Sequence, residues 1–176
     1  MGPRPKGKSC ALWLVPEGEV YRRLARTIRR LSREFSTPVF APHITLASGI
    51  VAPEREVATK TAQLARSLRP LRLRLTHLDS RHEYFRCLFA KVARVQSLVR
   101  AHRRAKEIFG LREQRGFLPH VSLIYGNLSR EKKRRVVASL GRRFDLEFNV
   151  RRLHVVAIRG APSAWRRVRV FRLATG

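Results

Sequence analysis

Three features are scarce in this 176-residue sequence: cysteine, acidic side chains and long apolar runs. The two cysteines, Cys10 and Cys87, allow at most one disulfide, and neither belongs to a Cys-x-x-Cys pair. These facts exclude a small protein held by a disulfide framework and argue against a cysteine-based zinc site. We therefore predict two buried free thiols.

No apolar run approaches the roughly 18 residues of a membrane-spanning helix, so we expect no membrane partner. The N-terminus, MGPRPKGKSCALWLVPEGE, is basic and then only briefly apolar, which is too short for a secretory signal. We interpret CALWLV as a first strand and expect a cytoplasmic location, although the basic start of the chain leaves an organelle open. With 44% hydrophobic residues, the chain can bury a core without disulfides or metals.

Acidic residues number only 12 against 39 lysines and arginines, which gives a formal net charge of +27. Such a charge attracts anionic ligands and is typical of proteins that bind RNA. The 32 arginines are nevertheless spread over every segment, which a compositional bias explains equally well. RNA therefore remains an open possibility as a partner.

Apolar residues at helical spacing predict four helices, and alternating or short apolar runs predict strands between them. The predicted helices span 18–35, 53–68, 95–109 and 129–141. The predicted strands span 10–15, 71–76, 84–92, 145–158 and 166–173, in addition to two motif strands described next. We expect an α+β fold of two pseudo-twofold lobes, with a flexible basic N-terminus at 1–9 and a single domain at 10–176.

The most informative feature is a phrase that occurs twice, FAPHITLASG at 40–49 and FLPHVSLIYG at 117–126. Alternate side chains of a strand face the same side. His43 would therefore face with Thr45, and His120 with Ser122, while the apolar residues between them face the core. We predict that each phrase is a strand presenting one imidazole and one hydroxyl.

Two such strands placed side by side would line a cleft suited to a phosphodiester. A neutral histidine can take a proton from water, a protonated one can give a proton to the departing sugar oxygen, and hydroxyls can donate to the non-bridging oxygens. This chemistry needs no metal, and no carboxylate or cysteine lies near either phrase. We assign His120 as the base and His43 as the acid, although the near symmetry of the phrases leaves the reverse assignment open.

HITL at 43–46 and HVSL at 120–123 resemble the paired His-x-Thr/Ser motifs of the two-histidine (2H) phosphoesterase superfamily. The sequence is most similar to the cyclic phosphodiesterase branch of plant and yeast type. LWLVP, with Trp13 before a proline, SREF at 32–35, YFRC at 84–87 and the tyrosine that follows the second motif all fit that branch. The resemblance extends over about residues 10–173.

This resemblance implies a bilobal fold in which two antiparallel sheets surround a central cleft with helices outside. It also implies metal-independent hydrolysis, without a cofactor, of ADP-ribose 1″,2″-cyclic phosphate, a by-product of tRNA splicing, and of nucleoside 2′,3′-cyclic phosphates. The products would be ADP-ribose 1″-phosphate and nucleoside 2′-phosphates. We expect a monomer that binds a small cyclic-phosphate nucleotide.

By motif position, the resemblance implies that His43 and His120 are catalytic and that Thr45 and Ser122 hold the phosphate, with a further hydrogen bond from Tyr125. Three more residues are expected to contact substrate: Trp13, Phe85 and Arg86. For the two aromatic residues, core packing is an equally good explanation. Arg86 lies in the segment beside the predicted cleft, where a cation would reach a phosphate.

Three functions remain open at this stage. The first is a cyclic phosphodiesterase for small nucleotides. The second is an RNA-end 2′,3′-cyclic or 2′–5′ oligonucleotide phosphodiesterase, which would use the arginines outside the cleft. The third is an RNA-binding protein of the same fold without catalysis, and the intact histidine and hydroxyl residues at all four motif positions argue against it.

Overall fold

The computed structural model of the chain describes residues 9–112 and 116–174. Of the segment 1–9 predicted to be flexible, residues 1–8 lie outside the described ranges, and Ser9 begins the first strand. The described strands are β1 Ser9–Leu14, β2 Ile44–Val51, β3 Leu71–Asp79, β4 Leu88–Val92, β5 His120–Ile124, β6 Arg143–Val150, β7 Arg152–Ala157 and β8 Arg166–Arg172. The described α-helices are α1 Gly18–Phe35, α2 Glu54–Arg66, α3 Gln96–Phe109 and α4 Arg130–Leu140.

The four helices follow the predicted apolar spacing. In α1, Leu24, Ile28 and Leu31 are fully buried along one face, while arginines occupy the exposed face. Gly110 ends α3 in the left-handed conformation, with φ of 62°. The hydroxyl of Ser129 accepts a hydrogen bond from the Lys132 amide at the start of α4. Within the described residues, none of the helices combines the length and the apolar character that crossing a membrane requires.

The eight strands form one antiparallel sheet in the order β6-β3-β4-β5-β2-β1-β7-β8. Each half contains four strands, and the halves meet where Ile44 of β2 pairs with Val121 of β5. These halves are the two predicted sheets, joined at the centre by their motif strands. The mixed helical and antiparallel architecture confirms the predicted α+β fold. Both cysteines are buried and free, as predicted.

Two of the helices, α1 and α3, cross from the half of the sheet that precedes them in the chain to the other half. α1 follows β1 but packs against β5 and β6 of the other half, and α3 follows β4 but packs against β2. α2 lies on β7 and β8. Because each motif strand is supported by a helix that comes from the opposite half, one continuous apolar core lies behind both motifs.

Two predicted strands are wrong in part. The segment 84–92 begins with a single 3₁₀ turn, Tyr84–Arg86, closed by a hydrogen bond from the Arg86 amide to the Glu83 carbonyl, and only Leu88–Val92 is strand. The segment 145–158 is two strands, because the chain leaves β3 and crosses to β1 at Arg151. There the backbone amide and guanidinium of Arg151 both donate to the carboxylate of Glu17.

Candidate active site

The two histidine phrases meet at the centre of the sheet. Continuing the antiparallel Ile44–Val121 register by one residue in each direction places His43 opposite Ser122 and Thr45 opposite His120. Ile44 and Val121 themselves are fully buried on the core side. Each imidazole therefore lies across from the hydroxyl residue of the other phrase.

A cleft of about 310 Å³ opens above this junction, a size in the range of small-ligand sites. All eight residues that the sequence analysis proposed for the site line it: Trp13, His43, Thr45, Phe85, Arg86, His120, Ser122 and Tyr125. The structure therefore brings these residues together from β1, β2, β5 and the 3₁₀ turn Tyr84–Arg86, with His43 directly before β2 and Tyr125 directly after β5.

Both imidazoles are held by the same local hydrogen bond. Nδ1 of His43 lies 2.7 Å from the carbonyl oxygen of Ala41, and Nδ1 of His120 lies 2.8 Å from that of Leu118. A carbonyl oxygen only accepts, so each Nδ1 carries the proton and donates it. In the neutral ring, Nε2 is then the unprotonated nitrogen that can accept a proton.

His43 is the more enclosed of the two histidines, with 5% of its surface exposed. The indole of Trp13 stacks on its ring, with centroids 3.5 Å apart and planes inclined by 7°. The hydroxyl of Tyr125 lies 3.5 Å from its Nε2. Burial lowers the pKa of His43 to about 4, opposed by the Ala41 hydrogen bond and aided by the charge of His120.

His120 is half-buried and lies close to cations. Burial is the main cause that lowers its pKa, and the hydrogen bond to Leu118 opposes this effect. The guanidinium groups of Arg86 and Arg81 lower the pKa further, because they repel the imidazolium form. Both histidines therefore favour the neutral form in the substrate-free cleft, for partly different reasons.

The hydroxyl groups of the site differ in their burial and in their hydrogen bonds. Ser122 is buried and donates a 2.9 Å hydrogen bond to the carbonyl oxygen of Phe85, whereas Thr45 is half-buried at the cleft wall. Tyr125 is 4% exposed and stacks on Phe40. Burial raises the pKa of the Tyr125 hydroxyl above its usual range, so this group remains protonated and able to donate.

Phe85 and Arg86 occupy the rim of the cleft. Phe85 is 52% exposed, which is unusual for a phenylalanine and suits a contact surface for a ligand. The guanidinium of Arg86 forms an ion pair with Glu83. This pair holds Arg86 at the cleft, and the positive charge of Arg86 is, after burial, a further cause of the lowered pKa of His120.

Comparison with known proteins identifies the family. The sequence matches the family described as "Cyclic phosphodiesterase-like protein" over residues 8–173, nearly the whole chain. The chain belongs to this family. The predicted resemblance and the prediction of a phosphodiesterase are confirmed at this level.

Individual relatives agree with this family membership. A cyclic phosphodiesterase of Arabidopsis thaliana is 23% identical over 124 residues, which cover 70% of this chain and 68% of the relative. Among solved structures, E. coli LigT in complex with 3′-AMP superposes with a TM-score of 0.68 at 12% identity, covering 97% of this chain and all of LigT. TT0787 of Thermus thermophilus gives a TM-score of 0.67 at 19% identity, covering 94% of this chain and 97% of that protein. These structures show the same fold.

Two aromatic residues of this cyclic phosphodiesterase-like site were missed by the sequence analysis. Trp165, directly before β8, lies across the cleft with its ring 5.7 Å from Phe85 and 6.0 Å from Trp13. Phe89 of β4 packs edge-on against His120 at 5.0 Å. Trp165 sits in a turn-like sequence that gives no sign of a site, and Phe89 looks like any core residue of a strand.

The remaining histidines lie outside the cleft. His102 stacks on Phe117 and hydrogen-bonds the Leu46 carbonyl, so it supports both phrases from behind. His154 is buried opposite Trp13 in the neighbouring strand, and burial lowers its pKa to about 4. No group of three or more His, Cys, Asp or Glu side chains in the described part of the chain is arranged to hold a metal ion.

Proposed function

We propose that this cleft hydrolyses ribose cyclic phosphates, namely nucleoside 2′,3′-cyclic phosphates and ADP-ribose 1″,2″-cyclic phosphate, by two-histidine general acid–base catalysis. The observation that carries the proposal is the pair of imidazoles. Each is fixed through Nδ1 by a backbone carbonyl, and both line one cleft beside two hydroxyl residues. The nucleotide complexes of E. coli LigT, with 3′-AMP, ATP and NADP+, support a nucleotide-bearing substrate.

The proposed reaction is one in-line displacement at phosphorus. A water molecule gives a proton to the base and its oxygen bonds to phosphorus, while the bond between phosphorus and one ribose oxygen breaks. The departing oxygen takes a proton from the acid. With a nucleoside 2′,3′-cyclic phosphate, rupture of the bond to O3′ leaves the 2′-phosphate. With the ADP-ribose compound, rupture of the bond to O2″ leaves the 1″-phosphate.

We assign His120 as the base and His43 as the acid. Besides burial, the guanidinium groups of Arg86 and Arg81 disfavour the protonated form of His120. The pKa of His43 is lowered mainly by burial. An anionic phosphate in the cleft offsets this effect, because its negative charge stabilises the buried imidazolium form of His43 and so raises the pKa. Substrate binding therefore favours protonation of His43.

The hydroxyl groups and Arg86 would bind the phosphate. Thr45 and Ser122 lie opposite the two histidines and would donate to the non-bridging oxygens, where negative charge is greatest in the transition state. Ser122 would exchange its hydrogen bond to the Phe85 carbonyl for one to phosphate. Arg86 would add a charge at the rim. Trp13, Phe85 and Trp165 provide aromatic surface for the base or sugar.

The direct test is hydrolysis of 2′,3′-cyclic AMP by the purified protein, with and without EDTA. We expect 2′-AMP as the product, resolved from 3′-AMP by chromatography, and the same rate in EDTA. Product made in ¹⁸O water should carry one heavy oxygen on phosphorus. Formation of 3′-AMP would reject the proposed bond cleavage, and loss of activity in EDTA would reject the metal-independent mechanism.

A further inference from the structure

A second concave surface, more basic than the catalytic cleft, lies on the half of the sheet that contains β3. This basic groove has a volume of about 780 Å³ and runs between α4 and the chain that follows β3. Five basic side chains line it: Arg81, Arg130, Lys133, Arg134 and Arg142. They come from two segments some 50 residues apart. The fold brings them together, and the sequence shows no continuous basic segment that contains all five.

Within the described residues, no carboxylate neutralises the charges of the basic groove. None of the five cations pairs with a carboxylate in the ranges 9–112 and 116–174. The acidic side chain that lines the groove, Asp79, accepts hydrogen bonds from Lys91 and from the Ser80 amide. Glu131 is exposed in the first turn of α4, outside the set that lines the groove. The groove therefore presents a net positive field to an anionic ligand.

Lys133 is the clearest sign that the basic groove is built to bind an anion. Its residue surface is only 6% exposed, and its ammonium donates a 2.8 Å hydrogen bond to the carbonyl oxygen of Arg81. Burying an ammonium against a neutral oxygen is costly unless an anion completes its surroundings. A phosphate in the groove would supply that charge.

The basic groove is connected to the catalytic cleft by the short segment 80–86. Arg81 and His82 of this segment line the groove, whereas Phe85 and Arg86 line the cleft. The Arg81 amide donates to the Arg86 carbonyl, and the Phe85 carbonyl accepts from Ser122 in the catalytic strand. Arg81 is also close enough to lower the pKa of His120. One ligand can therefore reach both surfaces.

We infer that the basic groove binds the phosphodiester backbone of a single-stranded RNA whose 3′-terminal 2′,3′-cyclic phosphate lies in the catalytic cleft. This inference rests on the proposed hydrolysis of ribose cyclic phosphates, and it names the physiological substrate class as an RNA end. The cleft of about 310 Å³ accommodates one terminal nucleotide, and the nucleotides upstream leave across the segment 80–86 into the groove. Evenly spaced phosphates match a row of cations better than a single nucleotide does.

The corresponding cavity on the other half of the sheet is a weaker candidate. It has a volume of about 500 Å³ and is lined by three arginines, Arg159, Arg166 and Arg167, but also by the carboxylate residue Glu54 at the start of α2. Among the described residues that line it there is no lysine. The direction of the RNA strand is therefore toward α4.

The test is binding of a short single-stranded RNA that ends in a 2′-phosphate, the proposed reaction product, measured by fluorescence anisotropy at several salt concentrations. The variant Arg130→Gln/Arg134→Gln removes two exposed cations one helical turn apart on α4. The control Arg100→Gln/Arg104→Gln removes two exposed cations at the same spacing on α3, away from the groove. Glutamine keeps helix propensity in both variants.

We expect the α4 variant to weaken RNA binding at least about fivefold and to reduce the slope of log affinity against log salt by about 1.4, or about 0.7 for each lost phosphate contact. The α3 control should change the slope by less than half as much. Equal weakening by the two variants would show that only bulk charge acts and would overturn the inference. So would RNA affinity no higher than that of 2′-AMP.

A second measurement separates this inference from the proposed function. The ratio of kcat/KM for an RNA ending in a 2′,3′-cyclic phosphate to kcat/KM for 2′,3′-cyclic AMP should be well above one and should fall in the α4 variant. Hydrolysis of 2′,3′-cyclic AMP with a ratio near one, unaffected by the variant, overturns the RNA substrate alone. RNA binding that depends on the groove, without hydrolysis of either compound, overturns the proposed catalysis and with it the assignment of RNA as substrate.

Discussion

The two halves of the site start from the same phrase and end in different environments. In both, a proline precedes the histidine, Nδ1 donates to the carbonyl two residues earlier, and an aromatic residue of the neighbouring strand contacts the imidazole. The aromatic residues occupy equivalent places, because Trp13 pairs with Thr45 and Phe89 pairs with Ser122. Yet Trp13 stacks flat on His43, whereas Phe89 meets His120 edge-on.

The difference between the halves extends to burial and charge. His43 is covered by Trp13 and Tyr125, while His120 is half-buried and faces Arg86 and Arg81. A repeated motif therefore fixes the chemistry that both halves share, and the neighbouring segments determine how the halves differ. General acid–base catalysis needs such a difference, since one imidazole must hold a proton while the other lacks it.

The largest effect expected is loss of either imidazole. His43→Ala and His120→Ala should each reduce kcat/KM on 2′,3′-cyclic AMP by about 10²–10⁴-fold, the usual contribution of a general acid or base. The control is His77→Gln, a half-buried histidine of β3 that does not line the cleft. Circular dichroism should show a folded protein in every case. A rate near normal in either alanine variant would end the two-histidine mechanism.

The pH dependence of stability should distinguish the two histidines next. Burial lowers the pKa of His43 from 6.5 to about 4, so between these values the unfolded chain takes up a proton that the folded protein does not. The free energy of unfolding should therefore decrease as the pH falls from about 6.5 to 4, with a contribution from His43 of up to about 3 kcal/mol.

Urea unfolding of His43→Asn and His120→Asn over this pH range measures the difference. The profile of His43→Asn should be the flatter of the two, because His120 is less enclosed. A flatter profile for His120→Asn would mean that the burial of the two rings has been ranked in the wrong order.

The acid and base roles can be separated with an activated leaving group. When a 4-nitrophenyl phosphodiester is hydrolysed, the 4-nitrophenolate group leaves as a stable anion. Its departure therefore needs little help from a general acid. If His43 is the acid, the rate defect of His43→Ala should be at least about tenfold smaller on this compound than on 2′,3′-cyclic AMP. The defect of His120→Ala should be similar on both compounds. The opposite pattern would exchange the two roles.

Much of this site could be predicted from sequence because its essential parts are local. The alternation of β2 and β5 decides which side chains face the cleft, and both strands are found with the expected faces. The crossing at Arg151 could not be predicted, because a continuous strand-like sequence hides the change of pairing partner from β3 to β1. Trp165 and the basic groove depend on contacts between segments distant in sequence, which no local pattern records.

The smallest effect expected concerns the phenolic hydroxyl of Tyr125, which lies beside His43. Tyr125→Phe keeps the ring stacked on Phe40 but removes the oxygen 3.5 Å from Nε2 of His43. Loss of one long hydrogen bond should lower kcat by about 2–10-fold, with KM nearly unchanged. Tyr84→Phe, which removes an exposed hydroxyl nearby, is the matched control. If Tyr125→Phe instead reduced kcat as far as His43→Ala does, the tyrosine hydroxyl would take part in proton transfer. The two halves of the site would then differ in their catalytic groups as well as in burial and charge.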